Sequence, residues 1–390
     1  MPRENGEGFD AVVVGGGIQG LTFALEAGRQ GRRVLLLEAG AFGGGSTAAS
    51  YGIVHGGFRY WQSMDLPRLI RSRLEQAWFL RHFPGLVRPL RCVMPFYGHE
   101  RSKPGLFATA AVLDRLGSAL ARNAAPELPV PRLLRRAEVL ETAPWLSGDG
   151  VRGGGCWHDV EIADYPGLLA ALVAQARAAG AVLIDNMAVR RVLPDPRGGV
   201  GGVEAADAAS GESRRFEAPV VVNCAGAGLD AVARGAHAAA PRFFQPVPAF
   251  NLHLEAAATL GAAFAVGRGK RFFVRPSAEG IFAGTFYGAR DVKGWVGALD
   301  TAAPGLGLGS ARVLRVVEGV VPQGREALEP ASRDVILDHG ASGGPRGLFS
   351  VSGVKLTTAR WLSARAIGRI WGGGAARVSR PAGALVDAKA

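Results

Sequence analysis

The residues whose types and spacing can do chemistry begin with Gly15, Gly17 and Gly20, a Gly-x-Gly-x-x-Gly pattern, and with Glu38. In such a turn the first glycine makes the bend and the second lets a pyrophosphate approach the backbone. The third lets the following helix pack close to the strand. That helix aims its unpaired N–H groups and positive dipole end at the phosphates. Glu38, about twenty residues on, can accept both hydrogen bonds of a ribose diol. This is binding chemistry for a dinucleotide. Two imidazoles offer proton transfer: His55, immediately before Gly56-Gly57, and His253, alternating with Asn251 and Glu255. Imidazole titrates near working pH and can take a proton from a reacting group. Arg59 with Tyr60 is an anion-holding pair, because the guanidinium fork matches phosphate and carboxylate. The ordinary alternative for each is a surface arginine or a hydrogen-bonded histidine.

These residues need elements to hold them. An apolar run at 11–14 enters the glycine turn, an amphipathic stretch follows, and a second apolar run at 34–37 ends at Glu38, so 9–40 reads as a β-α-β unit. The small, polar segment 42–57 reads as a loop. A helix is expected from about Leu66 to Phe83, with Leu69, Ile70, Leu74, Ala77, Trp78 and Leu80 near helical spacing and Arg68, Arg71, Arg73 and Arg81 on a solvated face. Segment 87–97 reads as strand plus turn, 104–124 as helix, and 138–146 as a short helix that stops before Pro144-Trp145. A further helix from Asp164, a plausible N-cap, to Gly180 leads into a strand at 182–184. Residues 187–220 read as a β-meander broken at Pro194–Gly199. Val220-Val221-Val222-Asn223 runs into Ala225-Gly226-Ala227-Gly228, and Gly226 and Gly228 can line the same ligand as the first motif. The stretches 251–255 and 271–275 alternate polar and apolar, as half-buried antiparallel strands do. A last strand, 348–352, meets Gly353 and is followed by Lys355-Leu356-Thr357-Thr358 and a helix.

A chain of 390 residues with 48% hydrophobic content is expected to hold about two domains. There is no uncharged apolar run of about eighteen residues, so no transmembrane helix is expected. The first eight residues carry acids and no apolar core, unlike a signal peptide. Cys92, Cys156 and Cys224 form no Cys-x-x-Cys pair, and the seven histidines show no ligand spacing. That argues against disulfides and a metal centre and fits a reducing cytoplasm. The formal charge of +12 raises nucleic acid or anionic membrane as partners. Basic residues are nevertheless dispersed and mostly arginine, with no dense tract. The balance favours a small anionic substrate and a weak peripheral attraction to anionic lipid at the inner face of the membrane, not nucleic acid.

Taken in order, the segments resemble the FAD-dependent oxidoreductases of the D-amino-acid-oxidase-like superfamily, and within it the flavin-linked glycerol-3-phosphate dehydrogenases. The Gly15–Glu38 fingerprint is the first likeness. Ser50-Tyr51-Gly52-Ile53-Val54-His55-Gly56-Gly57-Phe58-Arg59-Tyr60 is similar to the family's Ser-Ser-Lys-Leu-Ile-His-Gly-Gly-Leu-Arg-Tyr. Pro89-Leu90-Arg91-Cys92-Val93-Met94-Pro95 resembles Pro-Leu-Arg-Phe-Val-Leu-Pro, and Val221-Val222-Asn223-Cys224-Ala225-Gly226 resembles Val-Val-Asn-Ala-Ala-Gly. Gly353-Val354-Lys355-Leu356-Thr357-Thr358-Ala359-Arg360 resembles Gly-Gly-Lys-Leu-Thr-Thr-Tyr-Arg. The His-Gly-Gly-x-Arg-Tyr and Lys-Leu-Thr-Thr pieces are the specific ones.

The resemblance implies an α/β fold: a Rossmann-like FAD-binding domain, parallel sheet plus β-meander, with an interleaved α+β substrate domain built on an antiparallel sheet. It implies FAD-binding residues in 1–90, 150–235 and 340–390 and substrate-binding residues in 91–149 and 236–339. FAD contacts are expected from Gly15, Gly17, Gly20, Glu38, Ala39, Ser46, Thr47, Ala225, Gly226, Gly353, Lys355, Leu356 and Thr357. Catalytic roles are expected from His55 or His253 as base, Arg59, Tyr60 and Arg271 as anion holders, and Lys355 beside the developing flavin charge. The implied reaction is oxidation of a small anionic alcohol, sn-glycerol 3-phosphate first, by hydride transfer to flavin N5, with quinone, oxygen or a carrier as electron acceptor. Three departures surround the substrate. The family's C-terminal helical cap has no counterpart after Thr358 beyond one helix. Gly319-Val320-Val321-Pro322-Gln323 replaces Gly-Val-Arg-Pro-Leu, with Arg325 nearby, and Val274-Arg275-Pro276 replaces Ile-Pro-Trp. They keep two alternatives open: an amino-acid or secondary-amine oxidase of the same superfamily, and a non-catalytic flavin-binding partner protein.

Overall fold

The structure is a computed structural model and describes residues 8–57, 65–97, 104–105, 107–109, 111–112, 128–242, 244–256, 260–267, 272–324, 330–331 and 333–372. Arg59, Tyr60, Arg271, Arg325 and most of the expected 104–124 helix lie outside the described residues.

The chain opens with β1 (Ala11–Val14), α1 (Ile18–Gly28) and β2 (Val34–Leu37). Next come β3 (Ile53–Val54), α2 (Leu66–His82), β4 (Val87–Phe96), β5 (Arg132–Leu134) and β6 (Gly153–Ile162). After the helix Tyr165–Ala178 follow β7 (Val182–Ile184), β8 (Met187–Pro194), β9 (Val200–Asp207), β10 (Ser213–Glu217) and β11 (Val221–Asn223). The rest comprises β12 (Pro246–Leu254), β13 (Ala263–Val266), β14 (Phe272–Ser277), β15 (Gly280–Tyr287), the helix Val292–Ala302, β16 (Val313–Pro322), β17 (Val335–Asp338), β18 (Leu348–Ser352) and the helix Ala359–Trp371.

Three sheets result. The first runs β17-β18-β11-β1-β2-β7 and is parallel except for β17. Its inner strands are mainly apolar because both faces are covered, with Asn223 and Ser350 the buried polar exceptions at 0% exposure on β11 and mid-β18. Ala11, Val13, Leu36 and Val222 pack with Leu21, Leu25, Leu172, Leu362 and Ile367 on the helical side. Val12, Val14, Leu35, Leu37 and Val221 pack with Val203 and Ala205 of the meander, which is the second sheet, β10-β9-β8. The third sheet has nine strands in the order β16-β12-β15-β14-β13-β4-β6-β3, with β5 also on β6. It is antiparallel except where β13 meets β4. It takes β3 and β6 from chain ranges read above as FAD-binding.

Alternation gives the nine-stranded sheet two different faces. Val93, Leu252, Leu254, Val274 and Ala283 pack against Leu299 of the helix Val292–Ala302. Cys92, Trp157, Ala263 and Phe273 pack with Ile53, Leu69 and Tyr51 on the opposite face. By the same register, Asp159, Glu161, Asn251, His253 and Arg275 stand on that second face.

The helix expected at 66–83 forms as α2, with the Asp65 side chain accepting the Arg68 N–H at 3.1 Å. Its buried stripe differs from the expected one. Ile70 and Leu74 are 56% and 40% exposed, whereas Ser72, Glu75 and Gln76 are 2%, 1% and 1% exposed. Polar partners displaced the apolar periodicity: Arg360 pairs with both Glu75 oxygens at 2.5 and 3.2 Å, and Gln76 Nε2 donates to Val54 O at 3.1 Å. Arg71, expected on a solvated face, lies over the Trp361 ring. Asp164 caps its helix as expected, accepting the Gly167 N–H at 2.9 Å.

Candidate active site

β1 enters the turn at Gly15, whose φ is +102° and whose N–H donates to Leu37 O at 2.8 Å. A Cβ there would stand 2.6 Å from Cys224 O and 2.9 Å from the Ala225 Cα, so the turn can pass β11 only as glycine. A Cβ on Gly20 would overlap the Gly15 carbonyl oxygen. Gly17 is the N-cap of α1 and brings no side-chain cap; the hydroxyl of Thr47 takes the Ile18 N–H at 3.0 Å instead. Glu38 closes the mouth of the turn: Oε2 accepts the Gly16 N–H at 2.6 Å and Oε1 the Gly40 N–H at 2.9 Å. Each oxygen keeps a further lone pair. Tyr165 holds the 43–50 segment, donating to Thr47 O at 2.5 Å and meeting the Ser50 hydroxyl at 2.7 Å.

Because β1, β11 and β18 are neighbours, their carboxyl ends present Gly15, Gly226 and Gly353 on one edge of the parallel sheet. That edge is where open α/β sheets bind ligands. Gly226 has φ +55° and open space around its Cβ position. Gln19 Nε2 is committed to Ala359 O at 3.2 Å and Ser363 Oγ at 2.8 Å, and its buried Oε1, beside Gly353, has no partner among the described residues. A helix entrance whose N-cap residue brings no side chain, an oriented carboxylate, an uncovered glycine edge and a buried acceptor with no partner among the described residues together fit a dinucleotide.

His55 follows the two residues of β3. Its N–H donates to Thr357 Oγ1 at 3.1 Å, which brings the His-Gly-Gly segment against the Lys355–Thr358 turn. Its Nδ1 lies 3.1 Å from Asp159 Oδ2. The other Asp159 oxygen accepts the Gly56 N–H at 2.7 Å, and Trp157 Nε1 donates to Oδ2 at 3.3 Å. Asp159 is buried, while the His55 side chain is 41% exposed. Burial by itself pushes the Asp159 carboxyl up, but the hydrogen bond and charge of His55, with the Gly56 N–H and the Arg73 charge, hold it below its ordinary value. Asp159 was not singled out from the sequence; its signal is two acids, Asp159 and Glu161, two apart on an otherwise apolar strand.

His253 has a different set of partners. Its ring packs on Phe282 with centroids 4.2 Å apart, and Arg315 Nη2 donates to its Nε2 at 3.2 Å. Burial, then the charges of Arg315 and Arg275, push its pKa down to about 4. The Nε2 lone pair is thus engaged, and the buried Nδ1 has no partner among the described residues. Phe282 stacks in turn on Tyr51, with centroids 5.0 Å apart. Glu255, expected to share the histidine's face, lies beyond β12 and pairs with Arg312 at 2.9 Å. Arg275 lies beside the stacked Tyr51 and Phe282 rings, its guanidinium carbon 4.7 Å from the Phe282 centroid and 5.4 Å from that of Tyr51, with Nη1 3.6 Å from Glu161 and Nε donating to Tyr51 O at 3.3 Å. Ser46 ties the 43–50 segment to the nine-stranded sheet by donating to Val320 O on β16 at 2.6 Å. Among the described residues no cluster of His, Cys, Asp or Glu could hold a metal ion.

Comparison with known proteins places this geometry. The model of the family described as FAD dependent oxidoreductase matches residues 10–371. The chain is 30% identical over 224 residues to an alpha-glycerophosphate oxidase of Enterococcus casseliflavus, covering 57% of this chain and 36% of that protein. It is 27% identical over 402 residues to glycerol-3-phosphate dehydrogenase 1 of Mycobacterium tuberculosis, covering 94% of this chain and 73% of that one. The chain thus spans about a third of the enterococcal relative's length. In fold it is similar to the glycerol-3-phosphate dehydrogenase of Bacillus halodurans complexed with FAD, with a TM-score of 0.69 at 20% identity over 93% of this chain and 64% of that one.

Proposed function

Because this chain belongs to the FAD-dependent oxidoreductase family, we propose that it oxidises a small anionic alcohol, with sn-glycerol 3-phosphate the first choice and dihydroxyacetone phosphate the product. FAD, when bound, supplies the two-electron acceptor that takes the hydride from carbon. The observation that supports the reading most is the 3.1 Å hydrogen bond from the His55 N–H to Thr357 Oγ1, which joins two motifs 302 residues apart at the glycine-bearing sheet edge.

In this reading Gly15, Gly17, Gly20, Glu38, Ala39, Ser46 and Thr47 hold the adenosine and pyrophosphate end. Ala225, Gly226, Gly353 and Leu356 line the rest. His55 takes the hydroxyl proton at Nε2, since Nδ1 already faces Asp159. His253 is the poorer base of the two because Arg315 occupies its Nε2. Arg59, Tyr60 and Arg271 hold the substrate's anionic group. Lys355, Thr357 and the entrance of the helix Ala359–Trp371 stabilise negative charge that develops beside them. The division of the chain is proposed as 1–90, 150–235 and 340–390 for the cofactor and 91–149 and 236–339 for the substrate. No described helix is long and apolar enough to cross a membrane; the +12 charge supports a peripheral contact with anionic lipid.

The test is an anaerobic titration of the FAD-loaded protein with sn-glycerol 3-phosphate. The oxidised-flavin band is expected to bleach, with dihydroxyacetone phosphate formed in equal amount. Bleaching by amino acids or secondary amines alone would replace the alcohol reading with the amine reading, and bleaching by neither would favour a non-catalytic flavin protein.

A further inference from the structure

We propose that Asp159 is a positioning residue for His55: its buried carboxylate fixes the imidazole as the Nδ1–H tautomer and keeps Nε2 as the proton-accepting atom. The proposal deepens the reading of His55 as the base and rests on it.

A carboxylate on an apolar strand, 3% exposed, would cost several kcal/mol if unpaired, so its partners must account for it. Among the described residues three N–H groups surround it. The Gly56 N–H at 2.7 Å on Oδ1 sets the rotation of the carboxylate. The Trp157 indole at 3.3 Å and His55 Nδ1 at 3.1 Å then share Oδ2. A tie between β6 and the 55–57 loop would need only the Gly56 bond; the imidazole is the partner that such a tie does not require.

The proton can be placed from these contacts. Asp159 is held in its charged form against the pull of burial, and a carboxylate has no proton to give, so the proton in the 3.1 Å bond belongs to Nδ1. Nε2 then carries the lone pair. When Nε2 takes a proton, the imidazolium forms against a buried anion, where attraction is much stronger than in water. Other groups bear on the pair: Arg73 of α2 acts on Asp159, and Glu161 of β6 and the Cys92 thiol of β4, which burial keeps protonated, lie in the same electrostatic neighbourhood. Lys355 stands two residues before the Thr357 hydroxyl that accepts the His55 N–H. Asp159→Asn changes none of these groups. Its amide can still accept the Gly56 N–H while turning a donor toward Nδ1.

The first test needs no substrate. The ¹⁵N shifts of the His55 ring are recorded in FAD-loaded protein at alkaline pH, with His55→Gln supplying the assignment. Nδ1 protonated and Nε2 bare is the expected result; the opposite tautomer overturns the proposal whether or not any variant folds. Asp159→Asn is expected to shift the ring toward the Nε2–H form. With sn-glycerol 3-phosphate as reductant, that variant should reduce its flavin about 10²-fold more slowly, with apparent substrate affinity within about threefold. Trp157→Phe removes one donor from Oδ2 and should leave the tautomer as it is; a switch there too would assign the effect to packing and overturn the proposal. A folded Asp159→Asn protein with unchanged tautomer also overturns it. If glycerol 3-phosphate fails to reduce wild-type flavin, the substrate reading falls and the ring spectrum still decides the role of Asp159.

Discussion

At the Gly15–Gly20 turn, backbone passes backbone so closely that a Cβ on Gly15 would stand 2.6 Å from Cys224 O. Around His55, by contrast, the geometry depends on side chains buried with their charges and hydrogen bonds satisfied: Asp159 from β6, Gln76 from α2 and Thr357 from the turn before the helix Ala359–Trp371. The first region tolerates no added atom, and the second tolerates no lost partner. This difference orders what substitutions should do.

The largest effect is expected at the turn. Gly20→Ala sets a methyl group onto the Gly15 carbonyl, and α1 must move off the sheet. Purified protein should carry no flavin, measured by the ratio of visible to ultraviolet absorbance; a fully loaded Gly20→Ala protein would mean the turn is looser than described. Next is the buried pair that anchors α2, where Glu75 is 1% exposed. Arg360→Met leaves that carboxylate unpaired and should cost about 3–5 kcal/mol in a denaturant melt. A loss under about 1 kcal/mol would show that α2 does not depend on the pair. Glu38→Ala removes one acceptor set without adding bulk. It should weaken FAD by about 1.5–3 kcal/mol, that is by about 10- to 150-fold, if Glu38 holds the ribose diol. Unchanged affinity by titration of the apoprotein would remove that role.

The smallest expected effect is a pH dependence. His253 titrates at about 4 in the fold against an ordinary 6.5. Below about 6.5 the unfolded chain takes up a proton that the native state refuses until about 4. Native stability from this group is therefore present above 6.5 and is lost as pH falls through that window. His253→Gln should narrow the difference in melting temperature between pH 7 and pH 5. An unchanged difference would place the acid lability elsewhere.

The same contrast explains what could be read from residue order. The Gly15–Glu38 unit is local: strand, turn, helix and acid lie within 28 residues, and each glycine has a steric reason visible in its spacing. Asp164 as a cap and 187–220 as a meander were legible for the same reason, since both are short-range patterns. Periodicity failed on α2, where Ile70 and Leu74 face outward and Glu75 and Gln76 face inward. The partners that allow this, Arg360 and Val54, lie 285 residues ahead and 22 behind. His55 could be singled out as a candidate by its motif, but its neighbour Asp159 could not, because only the register of β6 against β3 and β4 brings the two together. Arg275, which looked like a change at the substrate, is committed to Glu161 and the Tyr51 carbonyl.

The most direct test of the central claim is the rate of anaerobic flavin reduction by sn-glycerol 3-phosphate in wild-type protein and in His55→Gln, each fully loaded with FAD. The account predicts rapid bleaching of the wild type and a rate lower by about 10²–10⁴ in the variant, with the flavin retained. Reduction of the variant at the wild-type rate would contradict it.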